Sequence, residues 1–362
     1  MTTDSAAEKE RNPQAITWYR TRLDPKDLKS LHKRSDWRGL LQTLGHLGLL
    51  AVTGGLAFYS AGRWPWPVVV GLLFLHGTFS AFLLAGIHEL GHGTVFRTKA
   101  LSAFFDRVFS FFYWFNFHVF EASHIMHHRY TLHVPDDLEV VLPLRVMVRQ
   151  FFLQGFVNPH AAFHAVRATV RNACGQLHSP PSGSAHNKQW DQWMDTLFPS
   201  SEPEKRREAV GWARILLVGH GLILAVSVSF HWWMLPVVTT LAPFYGGWLF
   251  FLCANTQHIG LQDDVPDFRL CCRTVTMNPF VEFLYWHMNY HTEHHMYAAV
   301  PCYNLARLHA LIKHDLPPCP RGLAATWREI AAIQKRQDED PSYQYAAPLP
   351  NPAMVMDSAA RA

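Results

Sequence analysis

The chain has 362 residues, 49% of them hydrophobic and 14% aromatic, which is ample material for burial. Its 32 Lys and Arg against 28 Asp and Glu leave a net charge of +4, and the placement of those charges says more than the total. Six cysteines without a CxxC exclude a rubredoxin-like iron site and a zinc ribbon, and their scatter suits free thiols.

Residues 1–38 form a basic arm carrying Lys9, Arg11, Arg20, Arg22, Lys26, Lys29, Lys33, Arg34 and Arg38. It lacks the apolar core of a cleaved signal peptide near its start. From Gly39 to His88 the only charge is Arg63, and from Ile215 to Gln262 there is none. One membrane span needs about 20 apolar residues, so each tract is long enough for two. The expected spans are 40–61, 66–87, 212–231 and 234–255, paired into two helical hairpins. Trp64, Trp66, Trp232 and Trp233 at the hairpin turns suit an interfacial aromatic belt. The excess of Lys and Arg on the arm puts both termini and residues 88–211 in the cytoplasm. Next to such spans, anionic lipid headgroups explain the basic arm better than nucleic acid does.

Residues 101–120 are apolar but interrupted by Asp106 and Arg107, as in an interfacial or re-entrant helix. Residues 141–172 read as an amphipathic helix on the membrane surface, and 174–208 as a polar loop. Two short helices are expected over 303–337 around Pro317-Pro318. The tail 338–362 is expected to be disordered. The fold class is therefore all-α: a polytopic membrane domain over 39–337, with four spans and a cytoplasmic helical cap.

The chemistry lies in three histidine clusters: His88 and His92 in HELGH, His124, His127 and His128 in HIMHH, and His291, His294 and His295 in HTEHH. Neutral imidazole is the commonest metal ligand. Eight such ligands exceed the four of a tetrahedral zinc, so the count favours two metals. A four-residue step puts His88 and His92 on one helical face, and three- and four-residue steps should bring each HxxHH triple together. All three clusters and His258 fall on the cytoplasmic side of the expected spans, where they can converge. Tyr130, Thr131, Asp136 and Asp137 follow the second cluster and could accept its remaining ring protons. Glu89, His287 and Asn289 are further candidates for orienting ligands. His46, His76 and His220 stand alone within spans, as helix-to-helix hydrogen-bonding groups or functional sites.

HELGH, SHIMHHRYT and NYHTEHHMYAAVP resemble the three histidine boxes of the membrane fatty acid desaturases, over about residues 85–305. The resemblance implies a cytoplasmic non-haem di-iron centre held by the eight box histidines and a ninth, for which His258 in ANTQHIG is the candidate. It implies a reaction in which dioxygen and two electrons introduce a double bond into an acyl chain carried on a lipid, coenzyme A or a carrier protein. No HPGG motif of a fused cytochrome b5 occurs. Electrons are therefore expected from a separate ferredoxin, rubredoxin or cytochrome with its reductase. Hydroxylation by the same chemistry and a small amino-acid-derived substrate are the alternatives. HELGH also fits HExxH, a zinc-protease motif with Glu89 as base, but that reading leaves both HxxHH clusters unexplained.

Overall fold

The computed structural model describes residues 15–178 and 185–350, apart from the side chains of 185–188. Helix α1 (Pro25–Leu31) closes the arm, and α2 (Asp36–Ser60) begins where the Ser35 hydroxyl caps the Arg38 N–H. Gly62 in the left-handed region then turns the chain, and Pro65 and Pro67 open α3 (Trp66–Ala81). A tightened turn at Phe82 joins α3 to α4 (Leu83–Gly91). Residues 66–91 together are long and apolar enough to cross a membrane, as are α2 and, further on, α10 (below).

Between these passes run α5 (Lys99–Phe112), α6 (Phe117–Tyr130), α7 (Val148–Gly155), α8 (Pro159–Ala173) and α9 (Ala185–Leu197), then α10 (Pro203–Phe230). Leu41, Val52, Trp66, Val70, Val218, Leu222 and Val228 are exposed on the long helices, an apolar surface that suits lipid rather than water. Helices α7 and α8 also expose Phe152, Leu153, Phe163 and Val166, in keeping with the amphipathic reading of 141–172.

The expected span 234–255 is not one helix. It breaks into α11 (Met234–Val238), a 3₁₀ turn at Ala242–Phe244 and α12 (Trp248–Ala254). Pro236 and Pro243 remove backbone donors, and Gly246 takes a positive φ of 69°. Such backbone survives at membrane depth only where protein groups satisfy it. Here Nε2 of His76 donates to Val238 O at 2.8 Å, the Tyr245 hydroxyl to Val237 O at 3.0 Å, and the Trp114 indole to Thr240 O at 2.8 Å. The lone span histidines thus join helices: His46 links Phe79 O to the Trp286 indole, and His220 lies between Phe111 O and the Thr240 hydroxyl.

The cap comprises α13 (Phe268–Cys271), α14 (Pro279–Leu284), α15 (His291–Met296), α16 (Leu305–Ile312) and α17 (Gly322–Glu339), the last two flanking Pro317-Pro318 as expected. Gly86 lets Phe109 and Trp286 press directly on α4; a Cβ there would stand 2.4 Å from Phe109. The expected disordered tail departs from that expectation over its first part. Arg336 donates to the Tyr343 hydroxyl at 2.8 Å, and the Tyr345 N–H donates to Gly260 O at 2.8 Å. Residues 351–362 lie outside the described residues.

The broken pass leans on glycine at one close approach. A Cβ on Gly246 would stand 2.5 Å from Phe74 O, whereas one on Gly62 would meet nothing within 4 Å. Gly62→Ala should lower stability by about 1 kcal/mol from its φ alone, and Gly246→Ala by roughly 3 kcal/mol from φ and overlap together. Unfolding of the two variants in detergent measures the gap; equal losses would remove the steric account.

Candidate metal centre

Four stretches of chain deliver nine imidazoles to one region. His88 lies in the last turn of α4 and His92 caps it. His124, His127 and His128 lie on α6, His291, His294 and His295 on α15, and His258 follows α12. They form two groups: His88, His92, His124, His128 and His294, and then His127, His258, His291 and His295. Within each group the donor nitrogens all lie within 4.8 Å of one another.

The two HxxHH triples do not each converge on one point, as their spacing suggested. In both helices the i,i+4 pair enters one group and the i+3 residue enters the other. His124 and His128 go to the five-membered group and His127 to the four-membered one; His291 and His295 reverse that, with His294 crossing over. Three residues turn the side chain by 300° and four by 400°, so adjacent histidines diverge by about 100° on a helix. A doubled HH is therefore a device for serving two neighbouring centres from a single turn.

In the larger group Nε2 of His124 is 3.2 Å from those of His88 and His92 and 3.0 Å from that of His128. His294 completes it at 2.8 Å from His88 and 3.2 Å from His128. In the smaller group His291 lies 2.9 Å from His258 and 3.1 Å from His295, again between Nε2 atoms. These are the separations of neighbouring ligands on one ion, since two metal–nitrogen bonds of about 2.1 Å at a right angle put the nitrogens ~3.0 Å apart.

Partners on the far edge of four of the rings fix where their protons are. Nδ1 of His258 is 2.8 Å from Cys271 O, which can only accept, so this Nδ1 carries the hydrogen and Nε2 is bare. Nδ1 of His127 donates to Asp137 Oδ2 and Nδ1 of His124 to Glu139 Oε1, each at 2.8 Å. Nδ1 of His295 faces the Thr131 hydroxyl at 3.1 Å, whose own hydrogen goes to His127 O at 2.7 Å. Three buried rings of the four-membered group thus turn lone pairs into one small space, and His291 can supply at most one hydrogen among them. Such an arrangement is repulsive by itself and is resolved by a cation. The donor set fits two transition-metal ions.

The surroundings favour the neutral form at four of these ligands. Burial, and then the neighbouring imidazoles, hold His128, His291, His294 and His295 well below the ordinary histidine range. Burial alone would lower His127 too, but the Asp137 carboxylate raises it above its usual value. Glu139 is held at about 2: burial opposes this, and the His124 ring outweighs it.

Asp137 accepts from His127 of the second cluster, whereas Thr131 accepts from His295 of the third rather than from the second. Asp136 and Tyr130 do not accept from a cage ring. Glu89 is fully buried, with Oε1 3.2 Å from His294 Nδ1 but outside hydrogen-bond geometry. It lies beside that ring and does not face an open cleft as a protease base would. Asn289 donates to Val275 O at 3.0 Å and Glu282 Oε1 at 3.3 Å, supporting the loop before α15. His287 stays outside both groups, held at about 4 by burial and then by Arg38. Sequence reading did not reach Glu139 or Cys271 O. Glu139 returns to α6 because residues 131–139 fold back: Leu132 has a positive φ, and its N–H donates to Asp137 Oδ2. Buried Glu293, inside the third box, was also missed; it accepts from Thr274 and pairs with His309.

A helical chain with membrane-length helices and two adjoining polyhistidine groups defines a histidine-box membrane metalloprotein. Residues 63–326, about three quarters of the chain, match the family described as Fatty acid desaturase, and the protein belongs to that family. It is accordingly an oxidoreductase, and membership implies a lipid substrate and a source of electrons. No curated protein is similar enough to the chain to count as a match.

Ligand orientation by outer carboxylates is worth about 10–100-fold in metal affinity. Asp137→Asn should loosen metal at the four-histidine group by about that factor, and Glu139→Gln at the five-histidine group. Metal retained during dialysis against graded chelator reads both; wild-type retention in the two variants would refute the orienting role.

Proposed function

We propose that this protein is a multi-pass membrane desaturase that introduces a double bond into an acyl chain, using dioxygen and a di-iron centre held by the nine histidines. The observation that carries the reading is the pair of adjoining imidazole groups, sharing α6 and α15 between them. His88, His92, His124, His128 and His294 would hold one ion, and His127, His258, His291 and His295 the other. Five nitrogens are more than a zinc site takes, which favours a redox-active metal. The iron pair supplies dioxygen activation and removal of hydrogen from an unactivated carbon. The balanced reaction removes two hydrogens from adjacent carbons and combines them, dioxygen, two electrons and two further protons into two waters.

The chain's own part is positioning in a dry site. Phe120 stacks on His124 at 4.9 Å between ring centroids, and Phe115 packs on Phe120 at 5.3 Å. Phe115 in turn lines an apolar cavity of about 330 Å³ shared with Ala81, Tyr113, Phe250, Phe251 and Ala254. An aromatic lane thus runs from the five-histidine group to a space suited to a hydrocarbon tail. Carbon–hydrogen bonds laid along it would meet the centre through apolar contacts, with water kept out.

The broken segment 232–254 returns the chain from α10 to His258, which stands among the boxes. Both hairpins therefore open toward the cap, and the basic arm favours the cytoplasm as that side. This gives four passes, the last one irregular.

Reconstituted protein should carry about two irons per chain and couple oxygen uptake to an olefinic product, which mass spectrometry separates from the alcohol of a hydroxylase. Replacing His127 or His294 by Ala should abolish product. Full activity in a variant lacking one histidine from each of two boxes would overturn the assignment. Ala254→Phe should raise KM for long acyl substrates at least about tenfold and leave short ones unchanged; equal effects on both would remove the cavity from the acyl path.

A further inference from the structure

A second cavity opens beside the third box. It measures about 870 Å³, and both His128 and His295 line it. One of these belongs to each histidine group, and their rings lie 4.3 Å apart and nearly parallel. No residue lines both this cavity and the apolar one. Its walls carry Arg20, His32 and Arg129 and no Asp or Glu.

One wall is the arm, and it is firmly held. The Trp18 ring stacks on Phe268 at 4.1 Å and its indole donates to Arg129 O at 3.0 Å. The hydroxyls of Tyr19 and Thr21 each donate to Asp315 Oδ2 at 2.7 Å, and Arg269 donates to the other oxygen of that carboxylate at 2.6 Å. The stretch 15–34 that contributes Arg20, Leu28 and His32 to the wall contains six Lys and Arg against two Asp, and one of these, Asp27, lies 3.5 Å from Arg307. The result is a preformed basic concavity whose floor is an imidazole from each metal group.

We infer that this concavity is the docking surface for a small acidic one-electron carrier, the arm supplying its basic rim. The inference rests on the desaturase reading, which requires two electrons per turnover that the chain does not contain. Each docked carrier is oxidised by one electron, so two dock in succession. Those electrons, with the two protons from water and the two hydrogens from the acyl chain, complete the reduction of dioxygen to two waters. From the concavity either metal group is one ring away. Opposite charge steers the encounter and fixes its orientation without needing high affinity, as a carrier that must leave requires. An anionic lipid headgroup would also meet these cations. It has no use for an imidazole floor, however, and the arm is pinned to the cap residues Phe268 and Asp315, not to the long apolar helices.

The test uses the iron-loaded enzyme in vesicles of neutral lipid, with an acidic [2Fe–2S] ferredoxin and its NADPH-dependent reductase as the probe. Arg20→Glu combined with His32→Glu should raise KM for ferredoxin at least about tenfold. Turnover at saturating ferredoxin, and product formed with dithionite alone, should stay at wild-type levels. Arg20→Lys should retain the wild-type KM, and added salt should raise the wild-type KM more steeply than that of the double variant. An unchanged ferredoxin KM, a change in acyl-substrate KM in its place, or equal support by a basic carrier would overturn the docking surface. So would loss only of binding to anionic vesicles. Wild-type enzyme that makes no product even with dithionite would defeat the desaturase reading itself. Should the double variant fold poorly, the salt dependence of the wild-type KM decides alone, and a flat response counts against docking.

Discussion

Nitrogen lone pairs pointed at one another are the constraint on which this structure depends. Bare Nε2 atoms within about 3 Å repel, and burial removes the water that would relieve them. For four of the nine rings the fold holds them there through a partner on the opposite edge. His127, His124, His258 and His295 are tied to Asp137, Glu139, Cys271 O and Thr131 respectively. Each tie commits a hydrogen to Nδ1 and thereby strips Nε2. The ties come from the loop after α6 and from Cys271 at the end of α13, so these two places set the tautomers. Folding of the cap and metal capture are then one coupled event, because a site preformed without its cation would store the repulsion.

The same logic explains why the membrane part looks as it does. Two regular helical passes can bring His88 and His92 to the cap, since their spacing is one helical turn. His258 must arrive from a different direction, with its ring aimed at α15. A straight helix over 234–255 would have presented it from a fixed axis. Pro236, Pro243 and Gly246 break that axis, and His76, Trp114 and Tyr245 satisfy the carbonyls the break sets free. A lone histidine inside a span, such as His76, is thus part of the architecture that makes an irregular pass tolerable. Its chemistry is that of a hydrogen-bond donor to backbone, at a position where lipid could offer none.

Much of this was legible in the chain before the structure. The eight box histidines could be named because ligands on a helix have to recur at one turn and leave a pattern, whereas His258 was reached only through the family resemblance. Helices α2, α3 with α4, and α10 followed from uncharged length. What escaped was whatever depends on long-range return of the backbone. Glu139 is 15 residues from His124, with no periodicity linking the two, and Cys271 acts through a carbonyl that every residue owns. The break in segment 234–255 was hidden for a related reason: composition registers apolarity, and Pro236 and Pro243 sit in a tract as apolar as its neighbours. The tail after Asp338 looked disordered by its composition, yet Tyr343 and Tyr345 give it two anchoring points on the cap.

The divergence of adjacent histidines carries a further consequence. Because His127 and His128 leave α6 about 100° apart, rotating or shifting that helix moves ligands of both groups at once. The same holds for His294 and His295 on α15. The two metal positions are therefore mechanically linked through two short helices and cannot be adjusted independently. Two ions held by these groups would be kept at a fixed separation. The linkage also explains why the outer partners are rigid and buried: Asp137 has no exposed surface and is held by the N–H groups of Leu132 and Glu139. A flexible carboxylate there would let α6 rotate, and each degree of rotation would shift one ligand toward its ion while drawing another away. Rigidity of the loop 131–139 is thus a requirement of having two centres on shared helices. A single-metal site built on the same turn would not impose it.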